Sequence, residues 1–143
     1  MTIGRLIADR DTADIVTCDR DARVSEAVEC LTANRIGALP VMAGNQVVGI
    51  FSERDVIHRL HREGASCLDS AVGEVMTAPP ITVERATKVA DALQLMTRRR
   101  IRHLPVVENG AMLGFVSIGD LVKDRIDEAV RDAEALRQYI TTA

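Results

Sequence analysis

The chain has 143 residues, 47% hydrophobic and 27% charged, with a formal net charge of −3 at pH 7. That is enough apolar material for one domain with a real core, and too much for a disordered tail. The slight acidic excess argues against a DNA or RNA partner, and no apolar run nears the roughly 20 residues that span a bilayer.

The opening residues Met1 to Arg10 lack the layout of a signal peptide. Residues 3–9 predict a short amphipathic helix carrying Ile3, Leu6 and Ile7, and residues 9–14 a polar connector. Ile15-Val16-Thr17 reads as a brief strand. Val24, Ala27, Val28 and Leu31 recur at helical spacing, which predicts a helix over 24–34, ended by Arg35 and Ile36 with Gly37 supporting the stop. Strands at 39–42 and 47–51 flank a turn at Ala43-Gly44-Asn45-Gln46, and Ser52 starts a helix to about Arg62. Residues 63–80 form a linker with a short helix at 72–76, ended by Pro79-Pro80. The same order then returns: a strand at 81–83, a helix bearing Val89, Leu93 and Met96, and strands at 104–107 and 112–116 around Glu108-Asn109-Gly110. The last helix is predicted from Ser117 to about Tyr139, its distal stripe waiting for the N-terminal helix or another subunit to cover it. The divisions are 1–14, a first unit at 15–62, the linker 63–80, a second unit at 81–124 and an extension at 125–143. The fold class is α/β (α+β), with two pseudo-symmetric strand–helix–strand–strand–helix units packed as one module.

The return is a true repeat. Residues 16–57 lie over 81–122 at a constant offset of 65 with no gap, and 13 of 42 positions are identical. Its sharpest part is Gly-x-x-Ser-x-x-Asp, written Gly49-Ile50-Phe51-Ser52-Glu53-Arg54-Asp55 and Gly114-Phe115-Val116-Ser117-Ile118-Gly119-Asp120. Each copy runs from a buried strand into a helix start, where a hydroxyl, backbone N–H groups and a carboxylate meet the positive end of the helix dipole. A phosphate suits the N–H groups, and a sugar diol suits the carboxylate. Alone, either copy reads as an ordinary capped helix. The duplication favours a paired site.

These residues resemble a tandem CBS domain pair, the regulatory domain named for cystathionine β-synthase, in its small stand-alone bacterial form. The resemblance rests on Val16-Thr17 and Ile81-Thr82, on Leu39-Pro40-Val41 and Leu104-Pro105-Val106, and on both Gly-x-x-Ser-x-x-Asp endings. It implies an adenosine-containing ligand (AMP, ADP, ATP or NAD(H)) in two clefts between the units. Asp55 and Asp120 would hold ribose hydroxyls, Ser52 and Ser117 would assist at phosphate, and Thr17, Thr82, Gly37, Ala38, Leu39, Pro40, Leu104 and Pro105 would frame the base. It further implies a homodimer that senses nucleotide or energy state for a separate regulated protein.

A carboxylate–diol contact is worth roughly 1.5–3 kcal/mol per charged hydrogen bond, and it should repel a 2′-phosphate. The copies differ where a phosphate needs a cation. Arg102-His103 precede the second Leu-Pro-Val where Gly37-Ala38 precede the first, while Glu53-Arg54 stand where the second copy has Ile118-Gly119. The cleft closed by Asp120, with Arg102 and His103 nearby, is expected to prefer the more anionic ligand, and Arg54 can serve either. His58 and His61 read as a solvated helix face rather than metal ligands, and Arg98 to Arg100 as an exposed helix end. Pro79-Pro80 reads as a stop with no role in recognition. Cys18, Cys30 and Cys67 have no Cys-x-x-Cys spacing and read as free thiols of a cytoplasmic protein. No catalytic motif is present, and Asp55 with Asp120 as a catalytic pair is disfavoured because both sit in capping positions. Against the sensor reading stands a non-catalytic dimeric scaffold with vestigial clefts.

Overall fold

In the computed structural model, which describes residues 1–142, the two repeats fold alike. In the first, β1 (Cys18–Asp19) pairs in parallel with β2 (Ala38–Ala43), and β2 pairs antiparallel with β3 (Gln46–Ser52). Helices α2 (Val24–Asn34) and α3 (Glu53–Glu63) complete the unit. In the second, β4 (His103–Glu108) and β5 (Ala111–Ser117) form the hairpin, and a single parallel bridge between Val83 and Val106 replaces the first strand. Helices α5 (Val89–Arg99) and α6 (Ile118–Thr142) match α2 and α3. Two short helices, α1 (Ile3–Leu6) and α4 (Val72–Val75), lie outside the repeats.

The leading strands begin later than expected. The ladder forms at Cys18 and Val83, both packed toward the cores, while Thr17 and Thr82 are exposed. Adjacent residues of an extended chain point to opposite sides, so a core-facing residue at 18 or 83 turns the preceding threonine outward. Helix α2 ends where expected, at Asn34, but its left-handed cap is not the glycine. It is Arg35, not Gly37, that adopts the left-handed conformation (φ 53°), as Arg100 does after α5 (φ 55°). At the second hairpin, Asn109 and Gly110 both have positive φ, as a two-residue turn matched to strand twist requires.

Each unit has its own core. Val24, Ala27, Leu31, Leu39, Val41 and Phe51 are buried in the first, and Val89, Ala92, Met96, Leu104, Val106 and Val116 in the second. The two outer helices divide between them. Val72 and Val75 of α4 close the first core, whereas Ile3 of α1, with Ile7 just after it, closes the second. Their anchoring is equivalent: Gly73 N–H donates to Arg20 O at 2.8 Å, and Gly4 N–H to Arg85 O at 2.9 Å. The N-terminal helix therefore packs into the second unit without help from the end of α6. Ile126, Leu136 and Ile140 on that distal stretch are exposed.

Candidate functional site

Two clefts lie between the units, of about 500 and about 460 Å³. Both fall in the range of small-molecule sites. Each takes its motif carboxylate from one unit and its opposite wall from the other. The first cleft combines Ser52 and Asp55 with Thr77 to Ile81 and with Arg100, Ile101, Arg102 and His103. The second combines Ser117 and Asp120 with Asp14, Ile15, Val16, Ile36 and Ala38. His103 and Ala38 reach both.

This crossing reverses the expected charge pattern. Arg102 lines the Asp55 cleft rather than the Asp120 cleft, because the start of β4 faces the helix start of the other unit. Arg54 lines that same cleft, where its Nη1 donates to Arg100 O at 3.2 Å. The Asp55 cleft thus gathers Arg54, Arg100 and Arg102, while the Asp120 cleft has Arg10 beside Asp9, Asp11 and Asp14. The cationic cleft is the first one.

Both aspartates sit in the geometry their spacing predicts. Ser52 N–H donates to Asp55 Oδ2 at 2.9 Å, Ser52 Oγ lies 3.0 Å from the same oxygen, and Asp55 N–H donates back to Ser52 Oγ at 3.4 Å. This capping box satisfies two of the helix's open donors. Thr77 Oγ1 donates to Asp55 Oδ1 at 2.9 Å. In the second cleft Ser117 N–H donates to Asp120 Oδ2 at 2.8 Å, and Arg10 Nη2 lies 3.1 Å from Asp120 Oδ1. Burial pushes the Asp120 carboxyl up, but the Ser117 N–H and the Arg10 guanidinium outweigh it and hold the pKa below its ordinary value. Burial, then Arg102, pushes His103 below 6.5 against the opposing pull of Asp120 and Glu53. Its ring stacks on Phe115 with centroids 5.5 Å apart, so His103 faces the clefts as a neutral, aromatic surface at neutral pH.

The remaining predicted residues are sorted by depth. Gly37 and Ala38 line the first cleft. Leu39, Pro40, Leu104 and Pro105 are buried within the strands, behind the cleft walls, and Thr17 and Thr82 are outside both linings. Val16 and Ile81, one residue earlier, take the wall positions expected of the threonines. Several lining residues were not expected. Pro79 and Pro80, read as a mere stop, line the first cleft along with Thr77, Arg100 and His58. Arg10 in the second cleft carries no sequence signal except its place in the connector.

A CBS-domain family model matches residues 7–62 and 72–127. The chain belongs to the CBS-domain family. It is 41% identical over 128 residues to a mitochondrial CBS-domain-containing protein of Arabidopsis thaliana named CBSX3, a match covering 86% of this chain and 62% of that protein. The chain therefore spans less than two thirds of that relative. A crystal structure of a CBS-domain-containing protein from Agrobacterium tumefaciens superposes with a TM-score of 0.80 at 36% identity, covering 87% of this chain and 92% of the other. The structure of CBSX2 in complex with AMP superposes with a TM-score of 0.76 at 25% identity, covering 90% and 98%. The two-unit fold described above is shared with those neighbours. No helix among the described residues is long and apolar enough to cross a membrane.

Proposed function

We propose that this CBS pair is a regulatory module that binds an adenine nucleotide, with the Asp55 cleft as its principal site. The observation that carries the reading is the convergence there of a helix-capping carboxylate with arginines from both units. Asp55 would exchange its Thr77 partner for the ribose hydroxyls, a neutral-for-neutral replacement with little electrostatic cost. Arg54, Arg100 and Arg102 would meet the phosphate, which the helix start alone holds weakly. His103 would offer its ring as an apolar surface. The likeness to CBSX2, solved with AMP, supports this class of ligand. AMP and NAD(H) are the preferred candidates.

Occupancy would act on a separate protein by favouring one relation between the units, through differential affinity for two arrangements. We place the module, as a homodimer without catalytic activity, in a reducing compartment of the cytosolic kind, in keeping with its three free thiols. Isothermal titration with AMP, ATP, NAD, NADH, NADP and S-adenosylmethionine tests the reading. Heat and a raised melting temperature are expected with at least one of the first four. Neither response with any of them would sink the sensor and leave the scaffold, which the exposed apolar face of α6 favours.

A further inference from the structure

The clefts differ in what holds each carboxylate. Asp55 accepts from the neutral hydroxyl of Thr77, while Asp120 is gripped by both ends of one guanidinium. Arg10 Nη2 lies 3.1 Å from Oδ1, and Nη1 donates to Oδ2 at 3.3 Å.

The cause is a difference in chain length. Ile3, Leu6 and Ile7 sit 69 residues before Val72, Val75 and Met76, whereas the repeats themselves are offset by 65. The connector between outer helix and repeat is thus four residues longer at 8–15 than at 77–80. Ala8 stands at the place of Thr77 and has no hydroxyl to give. The added length runs through the 3-10 turn Thr12–Asp14, and this path carries Arg10 to Asp120.

We propose that Arg10 is the specificity residue of the second cleft, occupying its carboxylate so that a nucleoside bearing an anionic group displaces it while an uncharged one does not. The inference rests on the ribose assignment made above. A diol that takes Asp120 expels the guanidinium. An uncharged nucleoside offers Arg10 nothing in return. A nucleotide brings a phosphate, to which the same planar fork can turn. Both partners are partly exposed, at 43% and 31%, so the pair is worth at most about fivefold in affinity, equivalent to about 1 kcal/mol.

The test silences the first cleft with Asp55→Ala, or Asp55→Asn if the alanine chain does not fold, and titrates adenosine and AMP with and without Arg10→Ala. Removing Arg10 should strengthen adenosine binding by up to about fivefold and leave AMP equal or weaker, so the preference for AMP shrinks. Added salt should strengthen adenosine binding while Arg10 is present, because it screens the competing ion pair, and this dependence should vanish in the Arg10→Ala chain. Arg10→Lys keeps the charge without the fork and should fall between. An unchanged AMP-to-adenosine ratio, or weaker adenosine binding without Arg10, overturns the proposal while the ribose assignment stands. A wild-type chain that binds neither compound in either cleft overturns both.

Discussion

Arg54 at the first turn of α3 donates through Nη1 to the carbonyl of Arg100, the left-handed residue that ends α5, at 3.2 Å. One side chain thereby ties the helix start of the first unit to the helix end of the second, across the mouth of the Asp55 cleft. A charged donor on a carbonyl is stronger than a neutral one but is exposed here. Arg54→Ala should lower the melting temperature little, by the equivalent of about 1 kcal/mol or less. It should weaken nucleotide binding by a larger factor, about tenfold, since phosphate and cleft geometry both lose their cation. Titration calorimetry beside a melting curve separates the two. A loss of stability with intact binding would remove Arg54 from the site.

Asp55 has two duties that one substitution can separate. Asp55→Asn keeps the shape and a carbonyl to accept from Ser52 N–H, so the cost in stability should stay near 1 kcal/mol, as for other weakened caps. The charge that would hold the ribose diol is lost, and affinity should drop by about tenfold or more. Asp69→Ala, at an exposed position ending the 3-10 segment Gly64–Asp69 and outside both cleft linings, should change neither. Equal effects of the two on nucleotide affinity would mean that Asp55 does not hold the ribose.

The glycines that open the motif make a prediction of unequal outcome. A Cβ on Gly49 would stand 2.5 Å from Met76 Sδ and 2.9 Å from the backbone oxygen of Thr77. On Gly114 it would meet the tip of Ile7, Cδ1 at 2.8 Å. A side-chain tip can swing away, but the Thr77 carbonyl is fixed by paired hydrogen bonds with Ile50, both 2.9 Å. Gly49→Ala should therefore cost about 1–3 kcal/mol and Gly114→Ala clearly less, measured by urea unfolding. Gly49→Ala should also disturb nucleotide binding, because Thr77 lines the Asp55 cleft.

These glycines also show why part of the design was readable. The motif is local: a strand, a close crossing, a cap and a carboxylate follow one another within seven residues, and the duplication made each visible. The hairpins and the starts of α2, α3 and α6 were legible for the same reason. Placing Arg102 failed because that residue meets its carboxylate only through the packing of one unit on the other, which no spacing within a unit encodes. Arg10 and Thr77 were missed for a related cause. The resemblance of Ile3-Gly4-x-Leu6-Ile7 to Val72-Gly73-x-Val75-Met76 was in the sequence, but the change of offset from 65 to 69 hid it from a gapless comparison.

His103 makes a prediction about pH. Burial and Arg102 hold its pKa below the ordinary 6.5, so the unfolded chain binds a proton that the folded chain resists. The corresponding stability is complete above 6.5 and is lost as the pH falls through the lower native value. Wild type should lose more melting temperature than His103→Gln between about pH 7.5 and about pH 5, the range in which histidine charges. Parallel curves would show that His103 carries no such penalty. A bound phosphate should reduce the loss, since an anion at the cleft favours the protonated ring.

The proposed dimer can be tested on α6. Val122, Ile126, Ala129, Ala133, Leu136 and Ile140 follow one another at alternating steps of four and three, the 3.5-residue spacing of a helix that packs along another helix. Ile126, Leu136 and Ile140 are 57%, 61% and 66% exposed, so this seam has no partner within the described chain. The twin helix α3 ends at Glu63 and presents Ile57 and Leu60, also exposed. Light scattering at tens of micromolar protein should give twice the chain mass. Ile126→Glu puts a charge in the seam and should yield a folded monomer, because burying an unpaired carboxylate costs several kcal/mol and no buried core contact is lost. If the dimer survives that change, its contacts lie elsewhere than the seam. A wild-type monomer at that concentration would remove the dimer from the proposed function, while nucleotide binding in the Asp55 cleft, built wholly within one chain, should persist.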